Sequence, residues 1–160
     1  MAIIPQDLAE LVGKPCFAPE IDGALEAGAI RLFAAAVEDG FPAYWADDPA
    51  QALAPPALLS AWNRPLMWHP GEDEAPTGLA LHFLLKDRLG LPRAVVTETE
   101  SEVSEPIRPG ARVRCEQILV ELGEPTSNRL GEGRYWTIRV EYRCACSHAL
   151  FGAETLRFFG

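Results

Sequence analysis

Three histidines, His69, His82 and His148, are the first side chains to weigh for acid–base chemistry. They are scattered, and each reads as a surface or satisfied residue rather than a catalyst. His69, in Trp68-His69-Pro70, is the one to watch, because it sits in a proline-rich loop. Cys16, Cys115, Cys144 and Cys146 form no C-x-x-C pair, and a chain of this size needs no disulfide framework. Cys144 and Cys146 are expected two apart on one strand face, as small apolar fillers. His148 alone is a poor complement to them, so no zinc site is expected. No G-x-S-x-G, G-x-x-x-x-G-K-[ST] or G-x-G-x-x-G word occurs. Phe41, Tyr44, Trp45, Trp62, Met67 and Trp68 crowd one stretch with apolar bulk. That stretch is either ordinary core and interface packing or the wall of a large apolar pocket.

The elements that would position these residues fall into three zones. Residues 1–23 are punctuated by proline and glycine and read as an irregular lead-in. Residues 24–91 are helix-rich with a loop-like middle, and residues 92–160 are strand-rich. Ile30, Phe33, Ala34 and Val37 recur at helical spacing, which predicts a helix from about Leu25 to Asp39, ended by Gly40 and Pro42. Its alanines make it thin enough to lie close against a sheet. Asp39 is then a helix-end carboxylate or a turn residue. A short helix is expected over Ala57–Trp62 and another over Leu79–Leu89, stopped by Gly90 and Pro92. Gly71–Pro76 reads as an exposed acidic loop.

From Arg134 to Cys146 apolar and polar residues alternate, with Trp136, Ile138, Val140, Tyr142, Cys144 and Cys146 on one face. Ala94–Glu105, Arg112–Leu122 and Ala149–Phe158 are three more expected strands. Residues 106–110 turn between the first two, and Gly123–Gly133 reads as a loop. Helix followed by long antiparallel strands predicts an α+β fold, with a sheet curved around one apolar helix. Arg112, Arg114, Arg139 and Arg143 read as a solvated strand face. The other reading is contact with the phosphates of a ligand.

The chain has 160 residues, 48% hydrophobic and 23% charged, which suits one soluble domain with a core. Its net charge is −9, and only Lys14 and Lys86 of fourteen basic residues are lysines. No basic stripe is present to neutralise phosphates, so nucleic acid is not an expected partner. No apolar run approaches the roughly 20 residues of a membrane span. The first residues lack a basic region followed by an apolar one, so no signal peptide is expected. A cytoplasmic location follows as an expectation.

Several words, in order and spacing, resemble MaoC-like hydratases and dehydratases, in particular the N-terminal, fatty-acid-synthase-type half of that family. They are Ile30-Arg31-Leu32-Phe33-Ala34, Asp39-Gly40-Phe41-Pro42-Ala43-Tyr44, Leu53-Ala54-Pro55-Pro56, Glu105-Pro106-Ile107-Arg108-Pro109-Gly110 and the closing Glu154-Thr155 to Phe159-Gly160. The resemblance implies a single hot-dog domain over 1–160, with a long central helix wrapped by a curved antiparallel sheet. It implies an acyl-CoA or other acyl thioester as ligand, no cofactor, and hydro-lyase chemistry of lipid metabolism at the 2,3-double bond.

Active members carry D-x-N-P-x-H, whose Asp and His activate water and manage the proton at C2. A glycine N–H in a following word holds the thioester oxygen as it gains enolate charge. On that pattern Asp39 and Pro42 match, Phe41 stands for the asparagine and Tyr44 for the histidine. The glycine position falls on Pro56, which has no N–H to donate. Between residues 1 and 68 there is no histidine to restore the motif. Phe41, Tyr44, Trp45, Pro55, Trp62 and Trp68 become the expected acyl-binding residues.

The expectation is a non-catalytic, pocket-shaping subunit of a heteromeric enoyl-CoA hydratase. A second hot-dog subunit would supply the catalytic Asp and His, the two sheets joining side by side as the resemblance implies. The alternatives are a stand-alone homodimeric acyl-CoA hydratase or thioesterase, with Asp39 and Tyr44 or His69 at work, and an acyl-thioester-binding protein without turnover.

Overall fold

The computed structural model describes residues 4–18, 23–61, 70–71 and 78–160. Strands β2 (Val95–Val103), β3 (Val113–Leu122), β6 (Tyr135–Cys144) and β7 (Leu150–Phe159) form an antiparallel sheet with the short β1 (Pro15–Cys16). The order is β1-β3-β6-β7-β2. Alternation in β6 holds: Trp136, Ile138, Val140 and Tyr142 are buried, and the residues between them are half-buried. β3 repeats the pattern with Val113, Cys115, Gln117 and Leu119. Register breaks at Val96/Glu98, Leu119/Glu121 and Tyr142/Arg143 mark bulges, which bend strands and increase their twist.

Helices α2 (Ala27–Ala36) and α3 (Ala80–Leu89) each have ten residues. Leu81 and Leu85 of α3 and Ile30 and Ala34 of α2 join the sheet's inner residues in one core. α3 lies directly on the sheet. The His82 ring packs 4.3 Å from that of Phe158 and 5.7 Å from that of Trp136. The N-cap residue of α3, Leu79, offers no side-chain bond. Instead Gln117 Oε1, buried on β3, accepts the Leu81 N–H at 2.9 Å. The sheet thus caps the helix that lies on it, satisfying one of the four free donors at its start. Gly90, at φ +64°, closes the far end as expected.

α2 ends a turn earlier than expected. Glu38 adopts φ +56°, its N–H bonds Ala35 O, and the Asp39 N–H bonds Ala34 O at 2.8 Å. That pair of bonds closes the helix in the Schellman manner, with Glu38 where glycine is usual. Val37 therefore leaves the helical face and is exposed.

Further expectations are corrected. The lead-in is not wholly irregular, because it forms α1 (Gln6–Ala9) and β1, and Leu8 enters the core. The loop 123–133 contains a small hairpin of β4 (Thr126–Asn128) and β5 (Gly131–Gly133). Cys146 is not on the strand face but in the exposed turn after β6. That turn is closed by the His148 N–H on Cys144 O at 2.9 Å. Of the helix expected over Ala57–Trp62, the described residues show the 3-10 turn Pro56–Leu58 followed by a turn, and Trp62 lies outside the described residues.

Candidate functional site

Beyond α2 the chain runs through the 3-10 turns Pro42–Trp45 and Pro49–Gln51 before reaching Pro56–Leu58. Prolines at the start of each turn set φ without losing a needed donor. Two long-range backbone bonds fold this segment on itself and onto the sheet: Leu53 N–H to Ala43 O (2.8 Å) and Ala54 N–H to Ile107 O (2.9 Å). Arg108 Nη1 adds a bond to Gln51 O, and Arg31 Nη2 ties α2 to Ala46 O. Past the end of β2, Ser104 and Glu105 keep pairing with Phe151 O and Leu150 O.

Between these segments lies a cavity of about 170 Å³. One wall comes from Phe41, Tyr44, Leu53, Ala54, Pro55 and Pro56, and the other from residues 103–107, with Leu59 and Phe151. Phe41 and Tyr44 meet edge to face at 5.1 Å. The expected residues Phe41, Tyr44, Pro55 and Pro56 are thus brought together. Trp45 is not with them. Its indole N–H bonds Asp39 O at 2.8 Å, and the ring lies half in solvent outside the cavity lining. Trp62, Met67, Trp68 and His69 lie outside the described residues.

Asp39 does not line the cavity. Its Oδ1 accepts the Phe41 N–H at 2.9 Å, an Asx turn that leads the chain out of α2. Tyr44 does line it. Burial, and then the nearby Asp39 charge, push the Tyr44 phenol above its usual value. At neutral pH it is a neutral phenol that can donate or accept a hydrogen bond. Pro56 contributes apolar surface and no donor.

Ser104, Glu105 and Phe151 line the cavity without having been singled out as site residues. Glu105 carries the carboxylate of the lining, on an exposed residue. The word Glu105–Gly110 was a signal for it. Nothing local pointed to Phe151, which arrives through the β2–β7 register.

His82 packs under α3 and His148 sits in the β6–β7 turn, both away from the cavity lining. Arg139 bonds Glu102 at 2.7 Å and Glu141 at 3.1 Å, and Arg143 bonds Glu141 at 2.6 Å. Burial raises the Glu141 carboxyl, but the Arg143 and Arg139 hydrogen bonds outweigh it and hold the group below the usual range. Arg114 lies 3.4 Å from Glu116. These arginines are already matched by carboxylates across a solvated face. Among the described residues no group of three or more His, Cys, Asp or Glu could hold a metal ion. Nor is any described helix long and apolar enough to cross a membrane.

A family model described as "FAS1-like, dehydratase domain region" matches residues 10–144. No curated protein sequence matches the chain. Among solved structures, the ChsH1-ChsH2 complex from Mycobacterium tuberculosis has a similar chain. The TM-score is 0.74 at 20% identity, covering 96% of this chain and 88% of that one. The MaoC-like dehydratase from Rhodospirillum rubrum gives 0.60 at 16% identity, covering 99% and 96%. The HadBC (3R-hydroxyacyl-ACP dehydratase) complex from Mycobacterium tuberculosis, C-terminally truncated, gives 0.55 at 14%, covering 90% and 95%. At these identities the likeness is one of fold, and that fold is the hot dog. With most of its length matched by the family model, the chain belongs to the FAS1-like dehydratase region family, on the MaoC-like hot-dog fold.

Proposed function

We propose that this chain is the non-catalytic, pocket-shaping subunit of a heteromeric enoyl-thioester hydratase, one cytoplasmic hot-dog domain over 1–160. Its ligand is an acyl-CoA or another acyl thioester. The observation that carries the reading is the chemistry of the three motif positions, two of them in the cavity wall. The position of the family's histidine holds a phenol kept protonated. The aspartate position serves a turn, and the oxyanion position is a proline. Losing one oxyanion donor alone costs about a hundredfold or more in rate. Volume supports the same reading: about 170 Å³ falls below the roughly 300–1,000 Å³ of ordinary ligand pockets. A second subunit beside β2 would enlarge it, because Val103 and Ser104 lie at that edge. Two of the structural neighbours, ChsH1-ChsH2 and HadBC, are complexes.

Glu105 favours a second reading, a stand-alone acyl-CoA hydratase or thioesterase in which this carboxylate is the base. The test is enoyl-CoA hydration by the purified chain alone and after co-expression with a second hot-dog protein bearing D-x-N-P-x-H. Turnover only in the mixture, lost when the partner's histidine is replaced, is the expected result. Robust turnover by this chain alone, abolished by Glu105→Gln or Asp39→Asn, would overturn it.

A further inference from the structure

The sheet ends on one side in β1, two residues long and begun by Pro15. On the other it ends in β2, nine residues long and exposed throughout. At about 3.3 Å per residue this is an open edge of roughly 30 Å. Edges of that length invite another strand unless something repels it. Glu98, Glu100 and Glu102 register against Arg157, Thr155 and Ala153 of β7, so the three carboxylates share one face. Arg139 reaches Glu102. Among the described residues neither Glu98 nor Glu100 has an ion pair.

Symmetry decides what can join this edge. Two copies that merge their sheets with both helix layers on one side are related by a two-fold axis perpendicular to the sheet. Residue i of one β2 then lies opposite residue j of the other with i + j even, so even residues face even residues. Wherever the axis falls from residue 98 to residue 102, a glutamate stands opposite a glutamate. At an axis on Glu100 all three do so. Like charges directly opposite each other destabilise a strand pair and exclude wrong partners. Each copy also carries a net charge of −9.

We infer that the β2 edge rejects a second copy of this chain and selects a hot-dog subunit whose edge strand presents arginine or lysine at alternating positions on the same face. The inference rests on the heteromeric reading above and names the chemistry of the partner. Val95, Val96 and Val103, exposed at the two ends of β2, supply the apolar contacts that flank the charged centre.

The test needs no identified partner. Sedimentation velocity is run on the wild-type chain, on the E98K/E100K/E102K variant and on their equimolar mixture, at about 20 mM and about 500 mM salt. Circular dichroism checks the fold of the variant, and E98Q/E100Q/E102Q serves as a neutral version. Each charged chain alone is expected to be monomeric. The mixture is expected to form a heterodimer that dissociates at high salt. The neutral variant is expected to self-associate about tenfold or more tightly than the wild type. A wild-type dimer at low salt overturns the inference, and so does a mixture that stays monomeric, which would leave the glutamates as a guard against edge aggregation. An active heteromer whose assembly ignores these substitutions sinks the charge rule and leaves the subunit reading standing. A wild-type chain that is dimeric and active alone removes both.

Discussion

The motif resemblance puts Asp39 at the position of a catalytic carboxylate, while in the structure its Oδ1 accepts the Phe41 N–H. The two roles predict different responses. Asparagine keeps an acceptor oxygen, so Asp39→Asn should change stability by less than about 0.5 kcal/mol and leave hydration by the proposed heteromer unaltered. Asp39→Ala removes the acceptor and should cost about 1 kcal/mol. Urea denaturation of both variants, beside the heteromer assay, separates a turn residue from a catalyst. A rate collapse in the asparagine variant would restore Asp39 to the chemistry.

At the scale of elements, the junction of α3 and β3 depends on Gln117. Its amide oxygen is nearly solvent-free and holds the Leu81 N–H. Gln117→Leu keeps a similar volume but leaves that donor buried without a partner, a loss of about 2 kcal/mol. The drop should appear as a lower urea midpoint with an unchanged m value.

The sequence shows a glutamine on the core face of an alternating strand, but not which helix start it reaches. The same limit explains what else could and could not be read. The β6 alternation and the Gly90 stop were legible because period and φ preference are local properties. β4 and β5, three residues each, are too short to show a period. The early end of α2 was hidden because glutamate rarely takes φ +56°. β2 was legible as a strand, but not its place at the sheet edge, where the strand order leaves all nine residues in solvent. Half of the cavity wall was legible as words around residues 41–56. The other half depends on β7 bringing Phe151 beside Ser104.

For the whole molecule, pH is the informative variable. Burial first, and then Lys86, lower the His82 pKa from 6.5 to about 4. The folded chain therefore resists a proton that the unfolded chain accepts. Stability fully present above pH 6.5 is lost as pH falls from there toward about 4. Because the ring is partly solvated, the loss should be about 1–2 kcal/mol. His82→Phe keeps the ring among Trp136 and Phe158 and cannot titrate, so its denaturation midpoint should flatten across that window. Equal slopes for the two proteins would assign the acid sensitivity elsewhere.

The strand order has a kinetic consequence as well. β6 and β7 pair as a local hairpin, with Arg143 opposite Leu150. β3 joins β6 across the β4–β5 hairpin. β2 is different: Val95 pairs with Phe159 and Val103 with Gly152, so its partner is made long after it and all of β3 and β6 lies between. Closing that loop costs the most entropy of any pairing between the four long strands. The edge strand should dock after β3, β6 and β7 have formed their sheet. The proposed docking edge would then be finished last, leaving a short-lived folding intermediate with β7 still open to a wrong strand.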